Sequence, residues 1–134
     1  MKHPNIDLIE GLYAAYLSGD REAVATGLSP DIQWQMSGDG EGSGTVIGIP
    51  AVLDFLYADK HMDDFSLEVS DLLASDAKVA VVARSSGRRG DRTIVNDYVQ
   101  LFTLDGNRVV KVRTYNWDQR ALAEFMAVPF EPVS

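Results

Sequence analysis

Ile6-Asp7-Leu8-Ile9-Glu10-Gly11-Leu12-Tyr13-Ala14-Ala15-Tyr16-Leu17-Ser18-Gly19-Asp20 is the stretch that decides how this chain begins to fold. Apolar residues at positions 6, 9, 12, 13, 16 and 17 fall on one stripe at helical spacing. Gly19 is suited to stop that helix in a left-handed conformation, which a side chain would resist. Asp20 follows where a second helix needs a cap, because its carboxylate can accept an otherwise orphaned backbone N–H. The second helix is expected from about Asp20 to Thr26, ending near Gly27, with Ser29-Pro30 as a break.

Beyond this start the period changes. Asp31-Ile32-Gln33-Trp34-Gln35-Met36 alternates polar and apolar residues, as a half-buried strand does. Residues 37–44 read SGDGEGSG and form a surface loop. They lack the lysine and the strand-to-helix setting of a phosphate loop. Pro50 suits the first turn of a third helix carrying Val52, Leu53, Phe55 and Leu56. Phe65, Leu67 and Val69 then alternate with Ser66, Glu68 and Ser70. Strands follow over Lys78–Ser86, Thr93–Leu104 and Arg108–Asn116. Arg88-Arg89-Gly90-Asp91 and Asp105-Gly106-Asn107 are the turns between them. Asp118 can cap a short last helix with Leu122, Phe125 and Met126. The expected fold class is α+β, a curved, mostly antiparallel sheet with helices packed on it, in one domain over residues 1–134.

Composition narrows the partners. The 134 residues are 46% hydrophobic and carry a net charge of -8. That charge argues against nucleic acid and anionic membrane. The absence of cysteine removes disulfides, thiolate nucleophiles and cysteine-based metal sites. No apolar run approaches the ~20 residues that span a bilayer, and no signal peptide is read at the start, so a cytoplasmic protein is expected. No metal and no organic cofactor are expected. His61 lies among Asp59, Asp63 and Asp64, but that spacing fits no ligand pattern. Arg89-Gly90-Asp91 is read as a hairpin turn.

Five segments together resemble the nuclear-transport-factor-2-like cone fold, and within it the SnoaL-like polyketide cyclase and ketosteroid isomerase branch. They are Leu12 to Asp20, Leu28 to Trp34, Gly44 to Val52, Val99 to Gly106, and Tyr115-Asn116-Trp117-Asp118. The resemblance implies a cone wrapped around the first helices and enclosing a pocket. It turns Asn96, Tyr98, Gln100 and Phe102 inward on one strand, a set that strand alternation places on one face. It turns Val112, Thr114 and Asn116 inward on the last strand, with Asp118 at the rim. Trp34 and Met36 share the pocket face of the first strand, and Tyr13 or Tyr16 closes it from the first helix.

The resemblance is specific for fold and not for activity. A ketosteroid isomerase needs a carboxylate base and an oxyanion hole of tyrosine and protonated aspartate. Matched positions here hold Met36, Leu12 and Gln100, so that chemistry is not expected. The cyclase branch implies an acid/base at Asp118, with Gln100, Asn116 and Tyr98 holding a substrate oxygen. Asp118 is equally well explained as a helix cap. Two classes of function therefore stay open. One is a cofactor-independent cyclase, isomerase or lyase acting by proton transfer on an apolar or aromatic, oxygen-bearing molecule. The other is a non-catalytic binder of such a molecule, or a dimeric interaction domain. A buried Asp118 beside a cavity holding Gln100 would mark the enzyme, and a cavity with Asp118 engaged as a cap would mark the binder. Arg84 could face the pocket or solvent, depending on the length of the following turn. A homodimer is expected through the outer face bearing Val95, Asp97, Val99, Arg113, Tyr115 and Trp117.

Overall fold

The structure is a computed structural model, and it describes residues 2–38, 44–58 and 62–127. Helix α1 (Pro4–Leu17) starts two residues before Ile6, because the His3 ring nitrogen accepts the Asn5 N–H at 3.1 Å and proline fills the first turn. Gly19 has φ +77°, the left-handed turn that separates α1 from α2 (Arg21–Thr26). Asp20 caps α2 by accepting the Ala23 N–H at 3.1 Å.

Strand β1 (Leu28–Met36) is longer than the alternation of 31–36 implied. Its pairing shifts register between Leu28 and Gln33, which is where Ser29-Pro30 interrupts regular pairing. Strand β2 (Gly44–Ile47) is an addition to the expected elements. Its four residues pair antiparallel with β1, Trp34 opposite Val46. Residues 39–43 of the expected loop lie outside the described residues, as does His61. Helix α3 (Ile49–Leu56) carries Pro50 in its first turn.

The remaining strands are β3 (Asp63–Ala74), β4 (Lys78–Arg89), β5 (Arg92–Asp105) and β6 (Arg108–Asn116). They close two-residue hairpins at Gly90-Asp91 and at Gly106-Asn107, where Gly106 has φ +63°. The first hairpin is tighter than the four-residue turn read from sequence, so Arg88 and Arg89 belong to β4. Helix α4 (Gln119–Ala127) ends the described chain. The sheet order is β2-β1-β6-β5-β4-β3, antiparallel throughout except where β1 meets β6. This is the expected α+β class with a mostly antiparallel sheet.

The core lies between the first three helices and one face of the sheet. Ile9 of α1, Val24 of α2 and Val52 of α3 pack with Ile32, Val79, Val81, Phe102 and Val112 from the strands, all buried. Each contributes roughly 1.5–3 kcal/mol through burial. In β3 the simple alternation fails. A register shift between Val69 and Asp71 leaves Val69 exposed and turns Leu72 and Ala74 toward the core instead. Among the described residues no helix is long and apolar enough to cross a membrane.

Candidate functional site

Packing stops short of filling the cone. A cavity of about 240 Å³ remains above the core. An engineered apolar cavity of ~150 Å³ already holds benzene, so this one has room for a molecule of one to two rings. Its base is aromatic: Phe102 meets Tyr13 and Trp34 edge-on, with ring centroids 6.0 and 6.2 Å apart. Its sides are Leu12 and Tyr16 from α1, Met36 from β1, Leu67 from β3 and Leu122 and Met126 from α4.

Strand period places the polar groups. Asn96, Tyr98, Gln100 and Phe102 all line the cavity, as do Thr114 and Asn116 from β6, while Val112 sits below it in the core. Gln100 is opposite Thr114 and Tyr98 is opposite Asn116 in the β5–β6 ladder. Two hydrogen-bonded groups result. Deep in the pocket, the Tyr13 hydroxyl donates to Gln100 Oε1, and Gln100 Nε2 donates to Thr114 Oγ1 at 3.1 Å. At the α4 end, Asn96 Nδ2 donates to Asn116 Oδ1 at 2.9 Å, and Asn116 Nδ2 donates to Ser37 Oγ and Gln119 Oε1, each at 3.0 Å. Ser37 Oγ also donates to Gln119 Oε1 at 2.7 Å.

The tyrosines stay protonated. Burial pushes the Tyr98 hydroxyl up to about 12, against a lowering by its hydrogen bond to Tyr13. Burial also raises Tyr13 strongly and Tyr16 in the same direction, with neighbouring tyrosines adding to both. At neutral pH all three are uncharged hydroxyls, suited to orient an oxygen and not to remove a proton.

Asp118 stands apart from this lining. It is exposed, and its Oδ1 accepts the Ala121 N–H at 2.9 Å, capping α4. Arg84 faces outward, where its guanidinium grips the Asp97 carboxylate at 2.7 and 3.1 Å. The two-residue hairpin sets this facing by putting Arg84 opposite Asp97. Among the described residues no cluster of three or more His, Asp or Glu could hold a metal ion. Three polar lining residues, Ser37, Ser85 and Gln119, lie beyond what the sequence alone indicates. Ser37 follows β1 at the start of the glycine-rich loop, and Gln119 is the first residue of α4; only the fold brings them beside Asn116.

The cap assignment makes an expectation. Asp118→Asn should leave the melting temperature nearly unchanged, because asparagine caps as well, whereas Asp118→Ala should cost about 1 kcal/mol. Thermal denaturation checks both. An Asn variant as destabilised as the Ala variant would point to a charge requirement that a cap does not have.

Residues 9–112 match the SnoaL-like domain, and the chain belongs to that family. Among curated proteins none matches this sequence. Solved structures share its fold. Bal32a, from a soil-derived mobile gene cassette, is 23% identical over 91% of this chain and 95% of its own, with a TM-score of 0.83. An NTF2-like protein from Burkholderia xenovorans LB400 is 25% identical over 93% of this chain and 95% of its own, with a TM-score of 0.76. TerC, co-crystallised with polyporic acid, is 23% identical over 92% of this chain and 98% of its own, with a TM-score of 0.79.

Proposed function

We propose that this SnoaL-like protein binds a small apolar or aromatic molecule in its cone, with the molecule's oxygen held against Tyr98 and Gln100. The observation that carries this is the cavity itself. It is walled by Trp34, Phe102, Met36 and Tyr16, and it is crossed by one polar seam of Tyr13, Gln100 and Thr114. Such a lining, mostly apolar with a few placed polar groups, is what a small-molecule site requires. Asp118 engaged as a cap favours binding over proton transfer by that carboxylate. That a protein of this fold was co-crystallised with polyporic acid is in keeping with an organic ligand.

A probe follows from the sequence. The chain has two tryptophans and no cysteine, so a quinone finds no thiol and Trp117→Phe leaves Trp34 as the only indole. 1,4-Naphthoquinone should quench Trp34 saturably, with one site per chain. Linear, unsaturable quenching would remove the pocket reading.

A second reading keeps the family's cyclase or isomerase chemistry. The Tyr98 hydroxyl on the pocket wall, kept protonated by burial, favours it, because a neutral O–H donor can stabilise charge on a substrate oxygen. Recovery of a bound oxygenated aromatic in rearranged form, lost in Tyr98→Phe, would select it.

We also propose that the chain pairs with a second copy through the outer sheet face. Trp117 is 86% exposed there and Val95 60%, beside the half-exposed Tyr115. Apolar surface of this kind usually marks an interface. The Arg84–Asp97 pair lies on the same face and carries both signs of charge, so a two-fold axis passing beside it would set each arginine against the partner copy's aspartate. Sedimentation should give about twice the 14.7 kDa chain mass, and Trp117→Lys should give the single chain. A monomeric wild-type protein at micromolar concentration excludes the pairing.

A further inference from the structure

We infer that the cone admits its ligand only in an uncharged form and discriminates against anions and cations alike. This rests on the pocket reading above and narrows it to a class of molecule.

Among the described residues the lining carries no charge. Twenty-three described residues border the cavity, and none is Asp, Glu, His, Lys or Arg. The chain as a whole is 24% charged, so five or six would be charged if the lining were an average sample. Two charged groups stand at the ends of α4, the helix that supplies Leu122 and Met126 to the lining. Asp118 is engaged with the Ala121 N–H, and the Arg89 guanidinium lies 5.4 Å from the Phe125 ring and donates to the Met126 carbonyl at 3.3 Å. Both are fastened to α4, at its two ends, and neither lines the cavity. The positive N-terminal end of that helix already has a carboxylate upon it.

An anion could be held by hydroxyl and amide protons, but here two of them are directed within the seam and the rest stand beside acceptors. Tyr13 gives its proton to Gln100, and Gln100 gives one to Thr114. What the seam still offers is mixed: the second Gln100 amide proton and the Thr114 hydroxyl proton, lone pairs on Gln100 and Thr114, and the Tyr98 hydroxyl. A neutral hydroxyl or carbonyl matches such a set. An ion would enter a low-dielectric pocket to which the described lining supplies no counter-charge, and the desolvation would be uncompensated. Among the described residues the side chains that ionise in the lining are Tyr13, Tyr16 and Tyr98, all neutral at pH 7, so they supply no counter-charge either.

The seam and the α4-end amides also define two poles. Gln100 and Asn96 are four residues apart on one strand, or about 13 Å. A neutral one- or two-ring molecule with an oxygen at one end and a second hydrogen-bonding group at the other matches that spacing.

The experiment compares charge at constant shape. 4-Nitrobenzamide, 4-nitrobenzoate and 4-nitrobenzylammonium are titrated by competition with 1,4-naphthoquinone. Salt is held at about 1 M, where the Debye length is ~3 Å and the overall negative charge of the protein is screened. The amide should bind at least tenfold tighter than either ion. 4-Nitrophenol provides an internal check, because its absorbance reports ionisation directly. Its apparent pKa should rise by at least one unit in the complex, the equivalent of that tenfold preference. Met36→Lys, which puts an ammonium on an unbranched lining position, should turn the preference toward the benzoate. Equal affinity for the three shapes, or a nitrophenol made more acidic on binding, overturns the inference and leaves the pocket reading intact. Failure of every neutral probe, the naphthoquinone included, removes the pocket reading and this inference with it.

Discussion

Phe102→Ala is expected to lower the stability of the fold by about 3 kcal/mol, near the lower end of the range for a buried phenylalanine. Phe102 is 1% exposed. It stands opposite Val79 on β4 and Val112 on β6, and its ring meets both Tyr13 and Trp34. Truncation loses the burial of the ring and two edge-on aromatic contacts. The void it leaves does not stay closed and dry, however. It opens into the cavity above, where the polar seam can hold water, so part of the cavity cost is relieved. Denaturant unfolding should show a lower midpoint with an unchanged slope. The same change at Leu17, which is 56% exposed, should shift stability by less than about 0.5 kcal/mol. A Phe102→Ala loss under 1 kcal/mol would mean that the base of the cone is not where the fold is held.

The parts of the molecule that depend on near neighbours are legible in the sequence. Gly19 and Asp20 are legible because a left-handed turn and a cap are local chemistry. That Asn96, Tyr98, Gln100 and Phe102 share one face follows from the two-residue period of one uninterrupted strand, and the family resemblance is what turns that face inward. Strand β2 escaped because four residues are too few to show a period, although Thr45-Val46-Ile47 is β-branched throughout. In β3 the alternation of Phe65, Leu67 and Val69 is real, but the register shift after Val69 reverses the facing, and no sequence rule places such a shift. Arg84 could not be oriented until the length of the hairpin at Gly90-Asp91 was known. Ser37 and Gln119 are 82 positions apart yet share a hydrogen bond; that contact belongs to the closed cone and to no segment of it. Asp118 shows the limit most clearly. An aspartate before a helix satisfies both a cap and an acid, and only the geometry gives its carboxylate to Ala121. The family resemblance carried the fold for the same reason that it could not carry the activity: the segments that match shape the cone, and the chemistry depends on which few side chains line it.

Gln100→Leu should weaken binding of 1,4-naphthoquinone by at least tenfold and lower stability by about 1–3 kcal/mol. The two losses have different origins. Binding falls because the amide no longer presents either pole of its dipole to the ligand oxygen. Stability falls because the buried Tyr13 hydroxyl, which donates to Gln100 Oε1, is left facing a methyl group, and Thr114 loses the Nε2 donor. Leucine is close to glutamine in volume, so the change tests polarity and not packing. The asymmetry of buried hydrogen bonds then makes a sharper demand. Removing one partner leaves the other unsatisfied, whereas removing both can be nearly neutral. Tyr13→Phe alone should be destabilising, by leaving Gln100 Oε1 without its donor. Combined with Gln100→Leu it should restore most of the stability lost by the leucine variant, while binding stays weak. A double-mutant cycle in unfolding free energy, run beside the quenching titration, separates the two effects. Strictly additive stability losses would show that Tyr13 and Gln100 do not act as a pair. Recovery of stability without recovery of binding would place the pair where the cavity puts it, built into the wall and turned toward the ligand.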